Sequence, residues 1–422
     1  MPHPKTFVSL RAIAGGLALS LALAAGASAE TRLRMTIWSA NEAHLKLFNG
    51  IAEGFKKENP EVTVSFESLP FETYTTALTT QIAGGNAPDM AWIFETTAFD
   101  FVNSGALMPL TKTLAATPGY NLGEISPSAT ERWSRGGMLY AYPFSTSPFA
   151  VFVNNDLIRK AGAKTPAELI AAGQWTWPAA IATAQAVAQG GKGGLVVRDF
   201  NYQAWQYLSS VWNAWGAAPW SADGKRCTFT DKPMVDALGF IHDAIFTKKA
   251  IPGPGQNVDF FAGDAAMTIT QISRASLLPK DHRFDWDLVP LPKGTTGDYA
   301  IVGQAGIGVL QSGKNAATAA AFVAYMTNPE NSAKLAQFFP SARKSLLNAE
   351  VLGKTNALLS PAQLDKVVIS GIATGKVMPA HTDFARLQQM VRSGLDAVWQ
   401  PKADIPAATR AICAQIDPLL AK

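Results

Sequence analysis

The stretch YAYPFSTSPFAVFVNND, Tyr140 to Asp156, has two apolar, strand-like ends, Tyr140 to Phe144 and Phe149 to Val153. Between them lies Ser145-Thr146-Ser147-Pro148, a segment without charge or glycine that sets hydroxyls on three successive residues. Such a segment is either a surface loop or a connection that faces something polar while proline restrains its backbone. The choice depends on what the chain builds on either side.

Upstream, the pattern is strand followed by helix. Leu33 to Trp38 reads as a strand, and His44 to Asn59 as a helix with Leu47, Phe48, Ile51 and Phe55 on one face. Val62, Val64 and Phe66 alternate in a second strand, Tyr74 to Ala83 is a helix closed by Gly84-Gly85, and Met90 to Phe94 is a third strand. Downstream the pattern restarts. Thr176 caps and Pro178 opens a long alanine-rich helix ending near Gly190, with further helices at Phe200 to Trp215, Lys232 to Lys248, Ala316 to Met326 and Pro329 to Phe338. Asp285 to Pro292 and Gly306 to Gln311 read as short strands. This alternation gives an α/β fold with a parallel-rich sheet flanked by helices. Ligands of such sheets bind beyond the carboxyl ends of the strands, where Trp38, Trp92 and Glu95 fall.

The amino terminus carries an address. Lys5 and Arg11 precede an apolar run from Ala12 to Ala25, too short to span a bilayer, and then Ala27-Ser28-Ala29, the pattern of a secretory cleavage site. The mature chain is expected to begin at Glu30, exported and soluble. The 422 residues suit two domains, and 36 basic against 32 acidic side chains leave no basic stripe for nucleic acid or an anionic membrane. Cys227 and Cys413 could pair in an oxidising compartment, but their spacing does not place them in contact.

Chemistry that needs a constellation finds none. His44, His242, His282 and His381 are scattered without metal-ligand spacing. Gly308 to Asn315 nearly spells a phosphate loop but ends in Asn where a metal needs a hydroxyl. No nucleophile elbow or paired-carboxylate signature is present, an absence that does not by itself exclude a hydrolase or lyase, and no cofactor is expected. Aromatic residues are more informative: of the 11 Trp, Trp38, Trp92, Trp205, Trp212 and Trp215 lie at strand ends or in one helical region among Glu, Gln, Asn and Ser. Flat rings beside carboxylates and amides suit a sugar, whose apolar face packs on the ring while its hydroxyls are taken by the polar groups; ordinary core packing is the alternative for each.

The order of short motifs is more specific than any one of them. Met35 to Trp38, Gly84 to Asp89, Ser104 to Leu107, Tyr142-Pro143 running on to Asn154-Asn155-Asp156, Trp175 to Ala180, Gly263 to Met267, Leu288 to Pro292, Gly303 to Gly308 and Asn328 to Glu330 succeed one another across nearly the whole mature chain. In that order they resemble the family 1 extracellular solute-binding proteins, the maltose-binding-protein-like class that serves ABC importers. The resemblance implies a two-lobed periplasmic binding protein of the class II type, each lobe a mixed sheet flanked by helices, with three hinge crossings near Phe144 to Phe149, Asp287 to Leu291 and Phe339 to Lys344. Residues 1–29 are then the signal peptide, 30–144 plus 292–339 the N-terminal lobe, and 145–291 plus 340–422 the C-terminal lobe.

Site residues carry over unevenly. Trp38 and Glu42 match cleft positions after the first strand, Trp92 to Glu95 match the end of the third, and Ser145 to Ser147 match a first-crossing segment. Phe200-Asn201-x-Gln203 matches well, and Trp205 falls within a residue of an aromatic platform. Gln271, Ser273 and Arg274 replace an aromatic of the maltose-binding branch, and Gln388 replaces a late Trp, so the resemblance does not extend to a maltodextrin ligand. Arg274 and Arg343, if they face the cleft, would serve a carboxylate or phosphate on the ligand. The candidate ligand-binding set is therefore Trp38, Glu42, Tyr74, Trp92, Glu95, Ser145, Trp205, Gln271, Arg274, Gln304 and Arg343, with no catalytic or metal-binding residue. The resemblance implies a periplasmic, monomeric protein that captures a sugar, oligosaccharide or polyol derivative and delivers it to the transmembrane permease subunits of an ABC importer. The alternatives are an exported carbohydrate-processing enzyme and a binding protein of the same fold for a phosphate ester, polyamine or metal.

Overall fold

The computed structural model describes residues 1–3, 30–278, 283–297, 300–355 and 358–421; the expected signal peptide and His282 lie outside the described residues. The strand Thr31–Ile37 runs parallel to Val62–Ser68 on one side and to Met90–Phe94 on the other. Ile301–Val309 pairs antiparallel with Met90–Phe94 and hands the sheet on to Ala141–Asn154. Beyond that strand come Ala265–Gln271 and, parallel to it, Gly193–Val197. Among the described residues nine strands join in this one sheet.

The quoted stretch is neither two strands nor a loop. Ala141–Asn154 is one continuous strand, buried at every residue. Its first half pairs with Ile301–Val309, its second half with Ala265–Gln271 and Trp286–Val289, so a single strand passes between two packing units. Ser145, Thr146, Ser147 and Pro148 lie opposite Ala305, Gln304, Gly303 and Val302, and the register slips where Pro143 meets Gly306. That slip is a bulge at Phe144, which bends the strand as it leaves the first unit. The Thr146 amide turns aside to the Pro340 carbonyl at 2.9 Å, tying the third passage to the first.

The apolar cores divide the chain. One gathers residues from Leu33 to Phe144 and from Ala305 to Ala342; another gathers Phe149 to Ile301 and Met378 to Leu420. A third, smaller cluster of Phe152, Phe260, Phe284, Leu364 and their neighbours packs on the second unit. Core membership thus changes between Phe144 and Phe149 and again between Ile301 and Ala305. The reason is pairing: Trp286–Val289 zips onto the second half of Ala141–Asn154, and the Lys293 amide bonds the Trp175 carbonyl, so the chain stays with the second unit until it enters Ile301–Val309.

Local chemistry sets the elements that carry the site. The helix Glu42–Glu58 begins where the Asn41 side chain accepts from the Ala43 and His44 amides, with Glu42 in its first turn and Lys56 and Lys57 in its last, each favourable to the helix dipole. Its buried face, His44, Phe48, Ile51 and Phe55, recurs at helical spacing. The helix expected over Phe200 to Trp215 is instead broken into turns and short pieces, because Asp199, Asn201 and Tyr202 take positive φ and Gly216 ends the last piece in the left-handed region. Cys227 and Cys413 form a disulfide, with Cα atoms 5.3 Å apart, that joins the segment before the Lys232–Phe246 helix to the Ile405–Leu420 helix. No described helix is long and apolar enough to cross a membrane.

Candidate functional site

Two of the three parallel strands of the first unit lead into the cavity lining. Trp38 follows Thr31–Ile37, and Glu95 follows Met90–Phe94. The Trp38 ring stacks on Phe94 at 4.1 Å, nearly parallel, while Tyr74 and Trp92 meet it edge-on. Trp92 in turn stacks on Phe144 of the long strand at 4.7 Å. This aromatic wall faces a cavity of about 380 Å³ whose opposite wall is built from Arg198, Tyr207, Gln271 and Arg274 of the second unit. Its floor comes from the through-strands, with Ser145, Ser147 and Gln304.

Four buried polar atoms on residues of this lining have no hydrogen-bond partner: Trp92 Nε1, Glu95 Oε1, Gln304 Oε1 and Arg198 Nε, the last 3.9 Å from the Asp199 carboxylate. An unmet buried donor or acceptor costs about 1–3 kcal/mol. Burial pushes the Glu95 carboxyl up to about 7, against the lowering pull of backbone amides and of the Arg132 guanidinium. At neutral pH that carboxyl is poised both to donate and to accept. Opposite it, burial, helped by the Arg274 charge, holds His44 down to about 4, leaving a neutral ring.

The two walls touch. His44 Nδ1 meets Ser39 Oγ at 2.7 Å and its Nε2 meets Ser276 Oγ of the second unit at 3.1 Å; Asn41 Nδ2 donates to the same hydroxyl at 3.3 Å. The Arg274 guanidinium sits over the Phe71 ring at 5.4 Å and pairs with Asp199 at 3.1 Å. On the far side, the Asp383 amide donates to Asp100 at 3.1 Å. The two walls are therefore bridged directly by hydrogen bonds and one cation–π contact.

Of the residues expected at a ligand, the fold brings Trp38, Trp92, Glu95, Ser145, Gln271, Arg274 and Gln304 to this one cavity. Four do not line it. Glu42 is exposed in the first turn of its helix, because Asn41 takes the capping position and turns the following side chain outward. Tyr74 is buried behind Trp38, its hydroxyl donating to the Thr36 carbonyl at 3.0 Å. Trp205 is 1% exposed; it packs among Trp212, Trp220, Phe229 and Phe384, and its Nε1 donates to the Gln388 carbonyl. Arg343, also 1% exposed, donates to the carbonyls of Tyr120 at 2.8 Å and Thr327 at 3.0 Å and lies 4.6 Å from the Tyr120 ring centre. Thr327 caps the Ala316–Met326 helix, so this cation neutralises the carboxyl end of that helix inside the first core rather than meeting a ligand.

Sequence reasoning passed over His44, Asn41, Ser276, Arg198, Tyr207 and Met378, all but Met378 and Tyr207 polar enough to have drawn notice. For His44 and Asn41 the signal was their place, in a helix start directly after the first strand's Trp38-Ser39. Ser276 and Met378 carried no local signal, since only tertiary packing brings their segments to the wall.

The sequence profile of the bacterial extracellular solute-binding proteins matches residues 40–333, a span that covers both units. The chain belongs to that family. It is 26% identical over 355 residues to the sn-glycerol-3-phosphate-binding periplasmic protein UgpB of Salmonella typhimurium, a match covering 78% of this chain and 77% of that one. With a putative binding protein of Brucella abortus it shares 33% identity over 156 residues, so the chain spans only about a third of that relative's length (34%). In fold it is similar to an ABC substrate-binding protein from Listeria monocytogenes in complex with cycloalternan, at TM-score 0.79 and 23% identity over 93% of this chain and 99% of that one. It is also similar to UgpB from Mycobacterium tuberculosis in complex with glycerophosphocholine, at TM-score 0.76 and 17% identity over 92% and 98% of the two chains. The mixed α/β fold of this solute-binding protein is thus that of the two-lobed periplasmic binding proteins.

Proposed function

We propose that this solute-binding protein serves an ABC importer, capturing a sugar, oligosaccharide or polyol derivative between its lobes and presenting it to the transmembrane permease subunits. The observation that carries the ligand class is the cavity wall itself. An aromatic face stands beside a buried donor, Trp92 Nε1, and two buried acceptors, Glu95 Oε1 and Gln304 Oε1, that lack partners. Adjacent hydroxyls on an apolar ring satisfy such a mixture, because each hydroxyl both donates and accepts. The protein works by binding and release rather than turnover. A ligand that touches Trp38 on one wall and Gln271 on the other gains all its contacts only when the lobes are closed, so binding shifts the population toward the closed form, which the permease recognises. The hinges are the three passages, at Phe144 to Phe149, Ile301 to Ala305 and beyond Ala342, and the protein acts as a monomer after export.

A second reading has its own observation. Arg198 and Arg274 both line the cavity, and the Salmonella relative is named for sn-glycerol 3-phosphate; a phosphate or carboxylate on the polyol would meet these guanidiniums. Thermal-shift screening of sugars, alditols, sugar acids and glycerol phosphates tests both readings. Stabilisation by members of these classes is expected, growing with concentration as mass action requires. If none raises the melting temperature while a polyamine or a metal does, the ligand class is wrong.

A further inference from the structure

Two neighbouring strands of the second unit deliver opposite charges to one wall of the cavity. Gly193–Val197 runs parallel to Ala265–Gln271, with Val197 opposite Ile269, so the segments that leave their carboxyl ends lie side by side. Asp199 comes shortly after the first strand, and Arg274 after the second, in the helical turn Ile272–Leu277. The Arg274 guanidinium donates to one Asp199 oxygen at 3.1 Å, and Arg198 Nε lies 3.9 Å from the other. Arg198 also donates to Asp259 at 3.4 Å. Both guanidiniums line the cavity, whereas neither carboxylate does.

A ligand phosphate or carboxylate at this wall would find both cations already answered by carboxylates. It would have to share Arg274 with Asp199, and the two anions would face each other across one guanidinium, where like-charge repulsion offsets the attraction. The Asp199 side chain is only 12% exposed, so solvent and salt screen that repulsion weakly. The Tyr207 hydroxyl, in the same wall, registers the balance. Burial pushes it well above its ordinary value, and the Asp199 charge raises it further by more than the Arg274 charge lowers it, with Glu95 adding to the same side. A neutral hydroxyl can accept from a guanidinium N–H without meeting that opposition.

We infer that Asp199 is a specificity-determining residue of this cavity: by holding Arg274 and flanking Arg198 it bars ligands that carry a phosphate or carboxylate and leaves uncharged polyhydroxyl ligands favoured. It acts through the guanidiniums rather than by touching the ligand, so its mark is the preference between a neutral compound and its charged counterpart. At φ +67° Asp199 occupies the left-handed region, which Asp and Asn enter more readily than other residues with a side chain. The inference rests on the polyhydroxyl reading above and separates its uncharged members from its charged ones.

Calorimetric titration of the full mature chain at neutral pH with matched pairs tests it: mannitol and mannitol 1-phosphate, glucose and glucose 6-phosphate or glucuronate, glycerol and sn-glycerol 3-phosphate. In the wild type the uncharged member of each pair that binds is expected to bind at least tenfold more tightly. Asp199→Asn, which suits the left-handed backbone and removes the charge, is expected to shrink that ratio at least tenfold while changing the uncharged member's affinity less than threefold. The charged member's gain is expected to fade as salt rises from about 20 to about 300 mM. Asp199→Gly accommodates the same backbone and gives the same shift if the asparagine variant does not fold. A charged member that binds the wild type as tightly as its uncharged counterpart overturns the exclusion, and an unchanged ratio in the variants overturns the assignment to Asp199; either leaves the polyhydroxyl reading intact. Failure of every compound to bind the wild type overturns that reading and the inference together.

Discussion

Glu95 makes stability depend on pH in a direction opposite to most carboxylates. In the unfolded chain it titrates near the ordinary 4.5, whereas burial in the folded protein raises it to about 7. Below about 4.5 both states hold the proton and the group is indifferent. Between the two values the folded state retains a proton that the unfolded state has released, so stability falls as pH rises; above about 7 both are ionised and the loss is complete. At about 1.4 kcal/mol per pH unit the loss is roughly 3 kcal/mol. His44 works the other way in part of that window, since its folded-state value near 4 lies below the ordinary 6.5 and protonating it as pH falls costs stability. A comparison with Glu95→Gln cancels the His44 contribution, because both proteins carry that ring. Urea unfolding of the two proteins between pH 4.5 and 8 is expected to show the wild type losing roughly 3 kcal/mol relative to the variant by pH 8, with a plateau above about 7. Parallel pH profiles would refute the claim that burial, rather than pairing with Arg132, governs this carboxyl.

Three further outcomes separate the cavity wall from the cores behind it. Trp38→Ala removes the ring that stands between Phe94 and the cavity and is expected to lower affinity for a bound sugar at least tenfold, about 1.4 kcal/mol, with the melting transition still cooperative; unchanged affinity by calorimetry would remove Trp38 from the site. Trp205→Ala empties a fully packed position and is expected to cost about 3–5 kcal/mol in denaturant unfolding, with no selective effect on the ligand contacts. Arg343→Met leaves the Tyr120 and Thr327 carbonyls without their donors and is expected to cost roughly 2–4 kcal/mol. If that variant instead kept its stability and lost affinity for phosphorylated ligands, Arg343 would belong to the site after all.

Periodicity sufficed where a segment's partners lie close in sequence. Tyr74–Ala83, Met90–Phe94 and Ala316–Met326 appear with the bounds that alternation and helical spacing imply, and Trp38 and Glu95 directly follow strands because a strand's carboxyl end is a local fact, whereas Trp92 lies in the middle of its strand. The Asp199 to Gly216 region misled the same reasoning. Its apolar spacing is helical, but residues in the left-handed region at Asp199, Asn201 and Tyr202 break it, and the side chains are buried by the Phe384–Leu395 helix that follows much later.

Site membership divided along a similar line. Trp205, buried, and Trp38, at the cavity, stand in comparably polar stretches, and nothing within a few residues of either tells them apart; what separates them is that Phe384 and Trp220 close over one and not the other. Arg343 was open to either reading until the end of the Ala316–Met326 helix was seen to meet it.

Hydrophobic period by itself determined an α/β chain with helices flanking a parallel-rich sheet, because it follows from neighbours along the chain, while the order of motifs carried the resemblance that implied two lobes. Tertiary structure decided that Ser145 to Pro148 is the middle of one unbroken strand, that Cys227 meets Cys413, and that Met378 joins the cavity lining. Each of those depends on which distant segment arrives opposite, and that is fixed by the joint packing of both cores across strands that run from one lobe into the other.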